Sequence, residues 1–208
     1  MNKKWIRYVE SFIILPALTL SGAPAGTMGG HISQAVINIV NTPSVALERS
    51  QNNAVNEEKL LAEIRLQKAQ AIDSYFSERG MPLRGTGMKM VLEAEKNNID
   101  WRLLPAIAVR ESTGGKFACK KVKNSAFGWG SCKINFNSHE EAIEVIAHNL
   151  GGNNPNTARH YDEKTTREIL RAYNPPTIVP RYAEQVISIM NAIGPEEIMP
   201  TNQLVVNS

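Results

Sequence analysis

The residue with the clearest chemical potential in this sequence is Glu111, a carboxylic acid close to the end of an apolar segment. Residues 101–112 have the spacing of a helix. One face of that helix would consist of Leu104, Ile107, Ala108 and Glu111. Because the face is mostly aliphatic, we expect it to point toward the core, where a carboxyl group loses its hydration. Residues 112–115 indicate that the helix stops there, which places the carboxyl at the negative end of the helix dipole.

Burial and the helix dipole both disfavour the carboxylate anion of Glu111. A carboxyl group that keeps its proton near neutral pH is suited to acid-assisted cleavage of a glycosidic bond. The alternative is that Glu111 turns toward water or pairs with a nearby Lys or Arg, as surface glutamates commonly do. The surrounding sequence has to distinguish these two interpretations.

Helices are predicted on both sides of Glu111. Their ranges are 57–79, 86–96, 138–149, 165–173 and 181–193. Capping boxes, Ser138 with Glu141 and Thr165 with Glu168, mark the starts of two of them. Asp100 is the expected N-cap of the helix that carries Glu111. Residues 114–137 show no helical period and predict a loop with a small hairpin, so we expect a mainly α fold.

The predicted loop contains both cysteines of the chain, Cys119 and Cys132. In an exported protein, the simplest interpretation is one disulfide that closes a short loop. The chain-entropy model gives such a bridge about 3 kcal/mol. Two alternatives stay open, a pair of free thiols and a zinc site that would also need His139 and His148.

The N-terminus predicts export. Residues 1–25 have a basic start, an apolar stretch too short to span a bilayer, and a small-residue cleavage site. We expect a periplasmic, wall-associated or secreted protein, with membrane contact only if this segment stays uncleaved. Residues 26–56 then read as a flexible linker, 57–194 as the folded domain and 195–208 as a loose tail.

The charge of the chain argues against a nucleic-acid partner. Removing residues 1–25 takes away Lys3, Lys4, Arg7 and Glu10, so the formal net charge of +3 falls to +1. A nearly balanced surface lacks the basic patch that phosphate backbones require. A DNA-binding helix pair within residues 165–190 is the alternative, but few basic residues lie on its second helix.

Three blocks occur in the order found in one enzyme superfamily. They read AIAVRES at 106–112, NSAFGWG at 124–130 and AYN at 172–174, with Tyr182 downstream. Together they resemble the lysozyme-like peptidoglycan-cleaving enzymes, most closely the soluble lytic transglycosylases and bacterial glucosaminidases. The resemblance covers about residues 71–193. It implies an α+β lysozyme-like domain, mainly helical, with a small loop or hairpin element after the catalytic helix.

The resemblance also implies a function. Glu111 would be the general acid/base of a muramidase or lytic transglycosylase that cuts peptidoglycan glycan strands. The saccharide cleft would contain Ser112, Phe127, Gly128, Trp129, Tyr173, Asn174 and Tyr182. No metal or cofactor is expected, and the protein is expected to be a monomer. Gly128, Trp129 and Gly130 depart from the transglycosylase pattern, so an endo-β-N-acetylglucosaminidase and a non-catalytic wall-binding protein remain alternatives.

A second carboxylate is not clearly marked in the sequence. Asp162 and Glu163 are candidates, although solvated surface charges are the commoner role for such residues. Glu140 and Glu141 are better explained by helix capping. Trp129 and Tyr173 each have an alternative role as core aromatic residues. We therefore expect one general acid/base, with the N-acetyl group of the substrate as its partner.

Overall fold

The computed structural model describes residues 43–200, with side chains from residue 53 onward. The predicted export segment, residues 26–42 of the linker and residues 201–208 of the tail lie outside this range. The chain divides into two units, residues 1–45 and 46–208, and the fold described below is that of the second. No helix within the described range is long and apolar enough to cross a membrane.

Seven α-helices and no β-strand are present in residues 43–200. The helices are α1 (Pro43–Glu78), α2 (Gly87–Lys96), α3 (Leu103–Ser112), α4 (His139–Leu150), α5 (Ala158–Tyr161), α6 (Thr166–Tyr173) and α7 (Tyr182–Ile193). The prediction of a mainly α fold is confirmed. The short helix α5 has no counterpart among the predicted elements.

Helix α3 lies at the centre of the domain. Its predicted inner face is buried at Leu104, Ile107 and Ala108, but Leu103 and Ala106 on other faces are buried as well. The helix packs against α7, α2 and α4, so protein covers it on several sides. A helix that is apolar all round belongs in the interior. Glu111, in its last turn, is partly buried.

The start of α3 differs from the prediction. The helix begins at Leu103, and Pro105 fits into its first turn, where a missing N–H costs little. Arg102, not Asp100, occupies the N-cap position. Asp100 lies two residues further back, where its Oδ1 accepts a hydrogen bond of 2.9 Å from the backbone N–H of Arg102. Its carboxylate also pairs with the Arg102 guanidinium at 2.6 Å.

The segment after α7 is attached to the start of α3. The indole N–H of Trp101 donates to the carbonyl oxygen of Glu196 at 2.9 Å, and Arg102 donates to the carbonyl oxygen of Gly194 at 3.2 Å. Pro200 is buried. The first residues of the predicted loose tail are therefore part of the folded domain.

Helix α1 begins before the predicted start. It includes residues 43–56, which the sequence assigned to a linker. Leu61 is 45% exposed, whereas Ala69, Ile72 and Phe76 are buried. Among the α1 side chains that the structure describes, from residue 53 onward, the buried apolar ones all lie in the C-terminal half of the helix.

Ser138 and Thr165 are the N-caps of α4 and α6, as predicted. Ser138 accepts a hydrogen bond of 3.1 Å from the backbone N–H of Glu141 at the start of α4. Thr165 and Glu168 form a complete capping box at the start of α6. These capping hydrogen bonds fix the residues at which α4 and α6 begin, and hence the residues at which the preceding loops end.

Residues 113–137 form a closed loop, and the predicted hairpin is not present there. The backbone N–H of Phe136 donates to the carbonyl oxygen of Lys123 at 3.2 Å, which closes residues 123–136 on themselves. Between them, residues 129–132 form a 3₁₀ turn. Gly130, Ser131 and Cys132 have positive φ angles, so this part of the chain cannot extend into strands.

The central position of α3 predicts a large stability difference between two leucines. Leu104 is fully buried in α3, whereas Leu92 in α2 is 44% exposed. Leu104→Ala should lower the free energy of unfolding by about 2–5 kcal/mol, because it opens a cavity in the core. Leu92→Ala should lower it by less than about 1 kcal/mol. Urea denaturation measures both, and equal losses would contradict the central placement of α3.

Candidate active site

Glu111 and Tyr182 form the contact at the centre of the candidate site. The Tyr182 hydroxyl donates a hydrogen bond of 2.6 Å to Oε1 of Glu111. Glu111 lies in the last turn of α3 and Tyr182 is the first residue of α7. The packing of α3 against α7 brings the two side chains together. A length of 2.6 Å is typical of a hydroxyl bonded to a carboxylate.

Tyr182 remains a proton donor at any physiological pH. Its side chain is only 2% exposed. Burial raises the pKa of the phenol, and the hydrogen bond to Glu111 together with the charge of that carboxylate raises it further. The proton therefore stays on the tyrosine, and Oε1 of Glu111 is the acceptor.

Tyr173 continues the site from the end of α6. Its ring stacks on that of Tyr182, with centroids 6.0 Å apart and planes inclined by 10°. Its hydroxyl donates to the carbonyl oxygen of Phe127 in the loop. Burial raises the pKa of Tyr173 well above its usual value, and the charge of Glu111 adds to the shift. Tyr173 thus connects α6 to both the loop and α7.

Gly128 brings the loop backbone directly against Glu111. A Cβ atom at this position would lie 2.5 Å from Oε2 of Glu111, and φ is +65°. Any side chain would therefore collide with the carboxyl and would also strain the backbone. Ser112 holds the loop in this position, because its hydroxyl donates a hydrogen bond of 2.6 Å to the carbonyl oxygen of Ala126. The same hydroxyl accepts from the backbone N–H of Gly115 at 2.9 Å.

An open groove of about 370 Å³ lies beside this contact. It is lined by Gly128, Trp129, Gly130, Ser131 and Tyr173. The Trp129 ring is partly buried, with its centroid 5.6 Å from that of Tyr173 and 6.2 Å from that of Tyr161. Glu111 does not line the groove, but its carboxyl lies against Gly128, one of the lining residues. We call this cavity the aromatic groove.

Only some of the residues predicted for the saccharide cleft come together at the candidate site. Glu111, Gly128, Trp129, Tyr173 and Tyr182 come together as described. Ser112 and Phe127 are buried, so their side chains contact protein rather than solvent. Asn174 ends α6 through its backbone N–H, which donates to the carbonyl oxygen of Leu170. It does not line the aromatic groove.

The sequence prediction missed two contributors. Ser131 lines the aromatic groove, and Tyr161 supports Trp129 from the short helix α5. No sequence pattern marks either residue. Helix α5 has only four residues, too few to show a helical spacing, and Ser131 lies in a turn that has no regular spacing of apolar residues. An aromatic residue just before Asp162 was the only available hint.

The candidate second carboxylates lie elsewhere. Asp162 and Glu163 are exposed and line a separate, smaller pocket of about 170 Å³. The carboxylate of Glu141 accepts a hydrogen bond from the backbone N–H of Asn137, which agrees with its predicted capping role. Among the described residues, no carboxylate lines the aromatic groove, and Glu111 is the one that touches its edge.

Cys119 and Cys132 lie together as free thiols. A hydrogen bond between the two side chains lowers the pKa of Cys119 and raises that of Cys132. Within residues 43–200, no third His, Cys, Asp or Glu joins them to form a metal site. Of the three interpretations of this pair, the zinc site with His139 and His148 therefore lacks its ligands.

Comparison of the chain with models of known protein families, with curated proteins and with solved structures found no match. The likeness of its three sequence blocks to lysozyme-like enzymes therefore stays a prediction. The function has to be inferred from the residues of the candidate site.

The close approach of Gly128 to Glu111 predicts an energetic coupling between Gly128 and Tyr182. Tyr182→Phe should lower the free energy of unfolding by about 1.5–3 kcal/mol, because it leaves the carboxyl without its donor. In a Gly128→Ala background the carboxyl is already displaced, so the same substitution should cost less than about 1 kcal/mol. Urea denaturation of the double-mutant cycle gives the coupling.

Gly85→Ala is the matched control for this cycle. Gly85 also has a positive φ, of +88°, but an added Cβ there would meet nothing within 4 Å. Its alanine variant carries the backbone strain without the collision. Tyr182→Phe should therefore cost as much in the Gly85→Ala background as in the parent. An equal cost in all three backgrounds would contradict the proposed contact.

The juxtaposed thiols predict that mild oxidation forms a disulfide. Oxidised glutathione should remove both free thiols and two hydrogens from the mass of the protein. The bridged form should then be more stable than the reduced form by about 3 kcal/mol, because the bridge restricts the unfolded chain. Mass spectrometry and denaturation measure the two effects. A Cys132→Ser variant should show neither, and persistent thiols in the oxidised parent would refute the pairing.

Proposed function

We propose that this protein cleaves the glycan strands of peptidoglycan, with Glu111 as the general acid/base. The observation that carries the proposal is the Tyr182–Glu111 hydrogen bond, since the bonded carboxyl lies against Gly128, which lines the aromatic groove. A general acid needs a carboxyl group in a defined orientation, next to a space that the substrate can enter. The site offers both.

The hydrogen bond assigns separate tasks to the two carboxyl oxygens. Oε1 accepts from Tyr182, so the transferable proton resides on Oε2 when Glu111 is protonated. Oε2 has no hydrogen-bond partner among the described residues, and it faces Gly128 at the edge of the groove. A glycosidic oxygen placed there would receive the proton as the bond breaks.

The groove suits a sugar chain. Trp129 and Tyr173 present aromatic rings, and the apolar faces of pyranose rings bind well to such surfaces. The surrounding Gly128, Gly130 and Ser131 expose backbone groups and a hydroxyl that can bond sugar hydroxyls or N-acetyl groups. A polymer that is apolar on its faces and polar at its edges fits this lining.

Among the described residues, no carboxylate lines the aromatic groove, and this favours substrate assistance. Two-carboxylate glycosidases need their second group within roughly 5–10 Å of the first. Here Asp162 and Glu163 belong to another pocket. The N-acetyl group of the sugar would instead attack the anomeric carbon while Glu111 protonates the leaving oxygen. The bond cut would join N-acetylmuramic acid to N-acetylglucosamine.

Two products are compatible with this chemistry. Attack by water leaves a reducing end, whereas attack by a sugar hydroxyl of the same chain leaves an anhydro end. Mass spectrometry of digested peptidoglycan separates the two. The predicted export of the chain would deliver it to the compartment that holds this polymer.

Glu111→Gln should abolish the clearing of cell-wall suspensions. Glutamine keeps an oxygen that can accept from Tyr182 but has no acidic proton to give. We expect the fold to persist and the rate to fall by roughly 10²–10⁴-fold. Turbidity of purified walls measures the rate, and circular dichroism checks the fold.

Glu163→Gln is the matched control, because Glu163 is exposed and lies in the separate pocket. It should clear walls at the parental rate. Equal clearing by Glu111→Gln and the parent would refute Glu111 as the acid. Binding of the parent to walls without release of fragments would instead favour a non-catalytic wall-binding protein.

A further inference from the structure

A second open groove, of about 440 Å³, lies on the surface where α3 meets α7. Its lining residues are Arg110, Arg181, Glu184, Gln185, Ser188 and Ile189. Two guanidinium groups thus face one cavity. We call it the arginine groove, and none of its lining residues belongs to the aromatic groove.

The two arginines have no acidic partner. Arg181 is exposed, and its side chain makes no hydrogen bond or ion pair with any described residue; only its backbone carbonyl oxygen accepts a hydrogen bond, from the backbone N–H of Gln185. Arg110 donates to the neutral amide oxygen of Gln185 at 2.9 Å, and its guanidinium lies 5.6 Å from the centroid of the Tyr182 ring. The only acid in the lining, Glu184, already pairs with Arg167 at 2.5 Å. The groove therefore has an excess of positive charge.

The sequence positions of the arginines connect this groove to the candidate site. Arg110 directly precedes Glu111, and Arg181 directly precedes Tyr182. The hydrogen bond between Glu111 and Tyr182 therefore holds the backbone positions of the two arginines close together, at the end of α3 and the start of α7. The contact of the Arg110 guanidinium with the Tyr182 ring shows that the arginine groove lies beside the Tyr182–Glu111 pair.

We propose that the arginine groove binds a carboxylate carried by the glycan strand, with Arg110 and Arg181 as its ligands. Guanidinium groups bind carboxylates through paired hydrogen bonds, and two of them without counter-charge favour an anion. This inference rests on the proposed function. It would make the protein select glycan with acidic substituents over neutral polymers of N-acetylglucosamine.

The carboxylate can come from two parts of peptidoglycan. N-acetylmuramic acid carries a lactyl carboxyl group, which is free in peptide-free strands. Where a stem peptide is attached, that group is an amide and the peptide supplies its own carboxylates. Both sources present the same chemistry to the arginines, so the experiment uses each in turn.

Binding is measured by calorimetry on the full chain carrying Glu111→Gln, which prevents turnover. Three probes are compared: a peptide-free disaccharide of N-acetylglucosamine and N-acetylmuramic acid, the same disaccharide with its stem peptide, and a neutral N-acetylglucosamine oligomer. Adding Arg181→Gln should weaken binding of an acidic probe about tenfold or more. Affinity for the neutral oligomer should not change.

A matched control makes the result specific. The Arg181 side chain is exposed and makes no hydrogen bond or ion pair with any described residue, so Arg181→Gln should keep the fold. Arg84→Gln removes one positive charge from an exposed arginine that lines neither groove, and it should leave all three affinities unchanged. Loss of affinity for the peptide-free probe would identify the lactyl carboxylate as the ligand. Loss for the peptide-bearing probe alone would identify the stem peptide.

Unchanged affinity of the Arg181→Gln variant for both acidic probes would overturn the carboxylate site. The wall-clearing assay of Glu111→Gln would still decide the proposed function separately. Failure of all three probes to bind would overturn the carboxylate site and remove the support for a glycan cleft.

Discussion

The hydrogen bond between Tyr182 and Glu111 is the interaction on which the candidate site depends. A buried phenol needs an acceptor, and a carboxyl at the end of an interior helix needs a donor. Each group satisfies the other, and the bond joins the end of α3 to the start of α7. If either helix shifted, both polar groups would be left unsatisfied at a cost of about 1–3 kcal/mol each. This requirement holds α3 and α7 in register.

The loop of residues 113–137 depends on the same contact. Ser112 holds the loop by the carbonyl of Ala126, and Gly128 then fits against the carboxyl because it has no side chain. Ser131 and Cys132 have positive φ angles, a conformation that ordinary residues adopt at an energetic cost. Of these two residues, Ser131 lines the aromatic groove. Strained backbone held by its surroundings is a common feature of binding and catalytic sites.

The two grooves suggest a division of tasks around one hydrogen bond. Aromatic rings line the first, which suits the faces of sugar rings, and arginines line the second, which suits acidic substituents. The Tyr182–Glu111 pair contacts a lining residue of each groove: Glu111 lies against Gly128, and the Tyr182 ring lies 5.6 Å from the Arg110 guanidinium. On our proposals, a strand of peptidoglycan would be held on both sides of the bond that is cut.

The sequence alone determined the elements. The spacing of apolar residues gave the helical content, and Ser138 and Thr165 gave the starts of α4 and α6 to within a residue. The predicted hairpin and the N-cap at Asp100 were wrong, because positive φ angles and a local turn decided those regions. Neither the short helix α5 nor the attachment of residues 195–200 to the domain corresponds to a periodic pattern in the sequence.

Only the tertiary structure decided that Tyr182 bonds to Glu111, 71 residues earlier in the chain, and that two arginines share a groove. Local patterns record which residues lie within one or two helical turns of each other, whereas these contacts arise from how whole helices pack.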